Sequence, residues 1–232
     1  MRLINKAKGI ENQFSIVSPA TLGGTKSPEF LQLNVHGKVP LLVTEDGLVI
    51  AESDTISRYV IERFADRTPS FVPENIALKY LSESIVRTHD VYISCIQGCM
   101  YKARGTSFSI YGTDRKAALG ELTTQLVGIE QTLQIFDQRH PLLRKGEFLC
   151  GEEISLADAA LFPTMVFCDF ILPQFFDMPQ ESFMGPVLGR WWSFMNEYVD
   201  CAQEIKKEIS APLMEWRSKG RFDPIMAEMR EY

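Results

Sequence analysis

The chain has 232 residues, 45% of them hydrophobic and 23% charged, with a formal net charge of -6. That balance suits one or two globular domains with a sizeable core and excludes a disordered chain. Scattered Lys and Arg exclude the clustered basic footprint of a nucleic-acid binder, and no run reaches the ~18 consecutive apolar residues of a membrane span. Residues 1–10 lack the apolar core of a secretory signal. Five cysteines, an odd count without a C-x-x-C pair, argue against a disulfide framework and for a reducing, intracellular compartment.

Taken in chain order, the first elements are short and mixed. "NQFSIV" (residues 12–17) reads as a strand, and "SPEFLQLN" (27–34) as a short helix with Ser27 at its cap and Pro28 in its first turn. "VPLLV" and "LVIA" flank Glu45, Asp46 and Gly47, and Asp-Gly between apolar runs signals a hairpin whose turn residues tolerate positive φ. "SDTISRYVIERFA" then places Ile56, Tyr59, Val60 and Phe64 on one helical face. This part is α/β with an antiparallel hairpin.

A boundary falls near "ADRTPSFVPEN" (65–75), which divides the chain into a domain at 1–66, a linker at 67–72 and a domain at 73–232. Helical periodicity dominates the second domain, over about 73–102, 114–138, 155–172, 186–199 and 201–216. "YKARGTSFSIYGTD" (101–114) interrupts the first two of these helices, and "GRFDPIMAEMREY" (220–232) reads as a tail packed loosely if at all. Cys95 and Cys99 share a helical face, where a buried thiol packs as a small hydrophobe. His89 is too far along to complete a metal set with them, so no metal is expected.

Three motifs carry chemistry. Val39-Pro40 opens the first hairpin strand with an X-Pro bond of weak trans preference. Glu52-Ser53 stands at a helix start, where unsatisfied N–H groups and the positive dipole end suit a carboxylate. Ser155-Leu156-Ala157-Asp158 reads as a capping box, with Ile154 placed for a hydrophobic staple. "GKVPLLV", "DGLVIAESDTISRYV" and "GEEISLADAALFP" together resemble the cytosolic glutathione transferase family. That resemblance implies a thioredoxin-like N-terminal domain followed by an all-α C-terminal domain. Val39-Pro40 then matches the family's cis-proline, which presents the preceding backbone to the cysteinyl part of glutathione. Glu52 and Ser53 match its γ-glutamyl site, and Lys38 is similar in position to a residue that meets the glycyl carboxylate, though an exposed loop lysine is equally well solvated. Glutathione is the implied co-substrate, and a small hydrophobic electrophile the implied second substrate. Its pocket, between the domains in the family, draws here on Tyr92, Phe108 and Tyr111. The resemblance further implies a cytoplasmic homodimer engaged in detoxification, with no nucleic acid and no membrane span.

"MRLINKAKGIENQF" resembles the family's first helix and its exit into the second strand. The first strand and the loop with a catalytic Tyr, Ser or Cys are therefore expected upstream of Met1, in a longer protein, unless another segment replaces them. On that expectation the catalytic residue is unknown and this chain alone has little or no activity. A hydroxyl in the catalytic position implies conjugation and a cysteine implies thiol exchange. The alternative is a non-catalytic binding or scaffold protein of the same fold.

Overall fold

The computed structural model describes residues 1–231, which form two compact units, Met1–Phe71 and a second beginning at Val72. The first contains α1 (Arg2–Ala7), α2 (Pro28–Leu33), β1 (Leu41–Val43), β2 (Val49–Ala51) and α3 (Ser53–Arg63). Local chemistry accounts for most of these bounds. Ser27 caps α2 by accepting from the Phe30 amide at 3.1 Å, and Pro28 occupies a first-turn position where no N–H is needed. The strands pair antiparallel in the register Leu41↔Ala51, Leu42↔Ile50 and Val43↔Val49. In the turn only Gly47 has positive φ, at 84°. Thr44 closes the loop by accepting from the Leu48 amide at 2.9 Å and donating to Asp46, which holds that carboxyl below its ordinary range.

Helix α3 turns Ile56, Ser57, Val60 and Ile61 inward, with Ile56 and Val60 fully buried. The buried stripe therefore runs one residue C-terminal of the expected face: Ile61 takes the core position, and Tyr59 and Phe64 are only half-buried. Lys8, itself buried, donates from Nζ to the carbonyls of Phe64 at 3.1 Å and Arg67 at 2.6 Å. These bonds reach the chain just past the end of α3, where the Phe64 carbonyl also accepts the Arg67 amide at 3.1 Å, and tie α1 to it. Residues 12–17 do not form a strand. Glu11–Gln13 make a 3-10 turn, and Ile16 and Val17 are 73% and 63% exposed, because the sheet among the described residues is β1 and β2 alone.

The second unit is helical: α4 (Ile76–Thr88), α5 (Arg115–Arg139), α6 (Leu156–Phe175), α7 (Pro186–Tyr198), α8 (Asp200–Ser218) and α9 (Asp223–Arg230). The helix expected over 73–102 ends at Thr88, continues as a π turn at His89–Ile93 and breaks into a 3-10 turn at Gln97–Met100. Tertiary bonds explain the change of winding. His89 Nε2 lies 2.9 Å from the Thr164 hydroxyl, which donates to Gln97 Oε1 at 2.8 Å, so two side chains flanking the π turn meet one hydroxyl on α6.

Helix α6 packs against α4 and α8 and forms the centre of this unit. It is the one described helix long and apolar enough to cross a membrane, with mean hydropathy 1.5, but 67% of that stretch is buried, as befits a core helix. The capping box at its start is present. Asp158, fully buried, accepts from the Ser155 amide at 2.8 Å and hydroxyl at 2.7 Å, and also from the Leu149 amide at 2.9 Å and Trp191 Nε1 at 2.8 Å. Burial pushes its carboxyl up, and these donors pull it back only in part. Glu130 on α5 performs a comparable task for α7, accepting from the Val187 amide at 3.0 Å and the Leu188 amide at 2.8 Å. The C-terminal segment is no loose tail. It forms α9, with Phe222 and Ile225 buried and Glu228 paired to the buried Arg115 at 3.1 Å.

Candidate functional site

The strand register brings the two sequence motifs of the first unit together. Leu41 pairs with Ala51, so the preceding Pro40 and the following Glu52 leave the ladder at the same end, a cross-strand step of roughly 5 Å apart. The Val39–Pro40 bond is cis. No backbone hydrogen bond engages the N–H or C=O of Val39 among the described residues, and its side chain is exposed. An extended peptide could pair with that backbone as a strand does.

The loop leading to Val39 is held by a residue that the sequence reading did not single out. Asn34 is buried, donates from Nδ2 to the Lys38 carbonyl at 2.9 Å and accepts from the His36 amide at 3.1 Å. This is the local side-chain turn chemistry for which Asn is favoured, and it fixes the carbonyl immediately before Val39. Gly37 has φ of 57°, and a Cβ there would lie 2.6 Å from the Thr25 carbonyl oxygen, so both its conformation and the space around it require glycine. Lys38 is exposed.

Glu52 caps α3 in an unusual conformation, φ 69° and ψ 128°. A non-glycine residue is costly there and persists only where its surroundings impose it, a pattern that clusters at ligand sites. Its carbonyl accepts the Ile56 amide at 3.0 Å, which leaves the amides of Ser53, Asp54 and Thr55 without intrahelical acceptors. Glu52 and Ser53 are both exposed. Asp54 is paired with Arg58 at 2.8 Å, so its charge is offset one turn into the helix. The end of the hairpin therefore presents an open peptide edge, three open N–H groups, a hydroxyl and a carboxylate.

In the second unit the candidates separate. Tyr92 lies on the π turn and is 53% exposed. Tyr111 is half-buried, and burial followed by the charge of the neighbouring Glu121 carboxylate pushes its phenol up. Phe108 is not on the surface with them. It is 2% exposed, beneath the Arg115 guanidinium at 5.1 Å, because a buried cation takes an aromatic face as its neighbour. Cys95 and Cys99, expected to pack together, divide as well. Cys95 is exposed and donates to the Val91 carbonyl at 3.0 Å, while burial pushes the Cys99 thiol up to about 12. No group of three or more His, Cys, Asp or Glu side chains converges as a metal site among the described residues.

Two family models match the chain: one for the glutathione S-transferase N-terminal domain over residues 1–63, and one for the C-terminal domain over 113–197. The chain belongs to the glutathione S-transferase family. It is 28% identical over 162 residues to glutathione S-transferase 3 of Zea mays, covering 68% of each protein. Among solved structures it resembles glutathione transferase F2 of Populus trichocarpa, with TM-score 0.60 and 20% identity over 90% of this chain and 92% of that one. It also resembles a maleylacetoacetate isomerase of Methylobacterium extorquens AM1 solved with malonate and glutathione, with TM-score 0.59 and 22% identity over 88% and 89% of the two chains. In this chain the first unit is the thioredoxin-like part and the second the helical part.

Proposed function

We propose that this glutathione S-transferase family protein binds glutathione at the open end of the β1–β2 hairpin and delivers its sulfur to a small hydrophobic electrophile or exchanges it as a thiol. The observation that carries the reading is the register, which sets the unpaired backbone of Val39 beside the open N-terminus of α3. Glutathione offers a matching set of groups. Its γ-glutamyl carboxylate suits the amides of Ser53 and its neighbours together with the Ser53 hydroxyl, where the helix dipole favours a negative charge. Its ammonium suits the exposed Glu52 carboxylate. Its cysteinyl amide and carbonyl suit Val39, and its glycyl carboxylate suits Lys38. Held in this way, the sulfur occupies one position relative to the hairpin, which is what orientation contributes to group transfer.

Calorimetry tests the reading without depending on turnover. Glutathione should bind more tightly than cysteinylglycine, which lacks the γ-glutamyl group. Ser53→Ala should cost on the order of 1.5–3 kcal/mol, the range of a hydrogen bond to a charged group, or about ten- to hundredfold in affinity. Equal affinity for the two ligands would refute the assignment of the α3 N-terminus.

A further inference from the structure

Arg115 joins several separate stretches of the helical unit. Fully buried at the first position of α5, it donates to the Cys99 carbonyl, to the Lys102 carbonyl at 2.9 Å and to Glu228 Oε2 on α9 at 3.1 Å. Its guanidinium also covers Phe108 at 5.1 Å, and its Nε has no partner. One side chain thus joins the C-terminal helix to both ends of the segment at 97–112. The pair with Glu228 is sealed from water, with side-chain exposures of 0% and 5%. Its members depend on each other, because losing one partner leaves an uncompensated buried charge.

The segment it holds is strained. Ser109 has φ of 55°, a left-handed conformation that a side chain disfavours, and the turn closes through the Phe108 amide to the Gly112 carbonyl at 2.6 Å. Such a turn keeps its shape only while its neighbours impose it. Here Phe108, packed under the guanidinium, is the adjoining fixed point, while Ile110 next to Ser109 is 87% exposed. Arg104, within the same segment, makes a second ion pair to the C-terminal end at Glu231, 2.7 Å away and exposed.

We propose that α9 is a strap that fixes the conformation of residues 97–112 through the buried Arg115–Glu228 pair, so that docking of the C-terminal helix sets which apolar side chains this segment exposes. The strap stands on the geometry of the helical unit alone.

Hydrogen exchange on the full chain tests the strap. Glu228→Gln removes the charge of the partner and should raise exchange at least tenfold both in α9 and in the amides of Lys102, Phe108 and Tyr111, with the middle of α5 and α6 unchanged. The double variant Arg115→Met, Glu228→Leu keeps the volume of the pair without its bonds. It should leave α9 docked by apolar packing yet still loosen 97–112, whose carbonyls have lost their donor. Faster exchange confined to α9 in the first variant, or wild-type exchange of 97–112 in the second, would overturn the strap.

Discussion

Replacing Asp158 should be among the most damaging single changes in the helical unit. A helix cap alone is worth ~0.5–2 kcal/mol, but this carboxylate accepts four hydrogen bonds, from the Leu149 amide, the Ser155 amide and hydroxyl, and Trp191 Nε1. Leu149, Ser155 and Trp191 are each 1% exposed or less, so Asp158→Ala strands three N–H donors away from solvent. At ~1–3 kcal/mol for each unsatisfied donor, the gross loss is about 3–9 kcal/mol. Water entering the space left by the carboxylate offsets part of it, and we expect about 3–5 kcal/mol. Asp158→Asn supplies the shape and an oxygen for Leu149 and Trp191 but turns an NH2 group toward the Ser155 amide, so it should cost less, about 1–3 kcal/mol. Urea denaturation followed by tryptophan fluorescence measures both, with glutathione affinity of the folded fraction as the control. A loss under 1 kcal/mol for Asp158→Ala would refute the argument that Asp158 is a four-way node rather than a cap.

Gly185→Ala should destabilise the chain by about 1–3 kcal/mol, an overpacking cost, because its Cβ would stand 2.5 Å from the Glu130 carboxyl carbon that receives the start of α7; denaturant midpoints check it. Lys8→Met, which keeps the stem and removes the donor, should cost about 1–3 kcal/mol by leaving the Phe64 and Arg67 carbonyls without it, and should speed hydrogen exchange at the end of α3. Under native conditions iodoacetamide should label Cys95 first and spare Cys99 and Cys150, whose thiols burial pushes up to about 12, and Cys168, likewise raised by burial; peptide mass spectrometry reads the order. Because these thiols hold their protons more tightly when folded, they should make stability fall as pH rises from the ordinary thiol range toward about 12, where the unfolded chain ionises first; alkaline denaturation with Cys99→Ala as comparison shows it.

What could be read from the sequence was chiefly what is local. Ser27, Pro28 and the Ser155–Asp158 box act within one helical turn, so their spacing is already their structure. Val39-Pro40 and Glu52-Ser53 were legible as separate signals, and the short Asp-Gly turn between them forced a register that brings them together. The strand at 12–17 misled because alternating apolar residues specify a strand only when a neighbour exists to pair with it. The continuous helix over 73–102 misled for the opposite reason. Its periodicity persists through His89, but two hydrogen bonds to Thr164, on another helix, change the winding. Asn34 stood at the end of "SPEFLQLN", just before Gly37, and its Asx-turn preference was the signal to use.

The charged residues that organise the interior are harder to see, since Lys8, Glu130, Arg115 and Glu228 all meet partners more than fifty residues away. By composition such residues belong on the surface. One of them nevertheless breaks a local rule. Helix α5 begins with Arg115 and Lys116 and carries no acid in its first turn, although a cation there opposes the helix dipole. A sequence that is otherwise well capped, with Asp114 accepting from the Ala117 amide at 2.9 Å, has no local reason to place arginine at that position. Disagreement between a residue and its immediate surroundings is where tertiary purpose should be sought. Here it marks the buried cation that holds Cys99, Lys102, Phe108 and the C-terminal helix around one guanidinium.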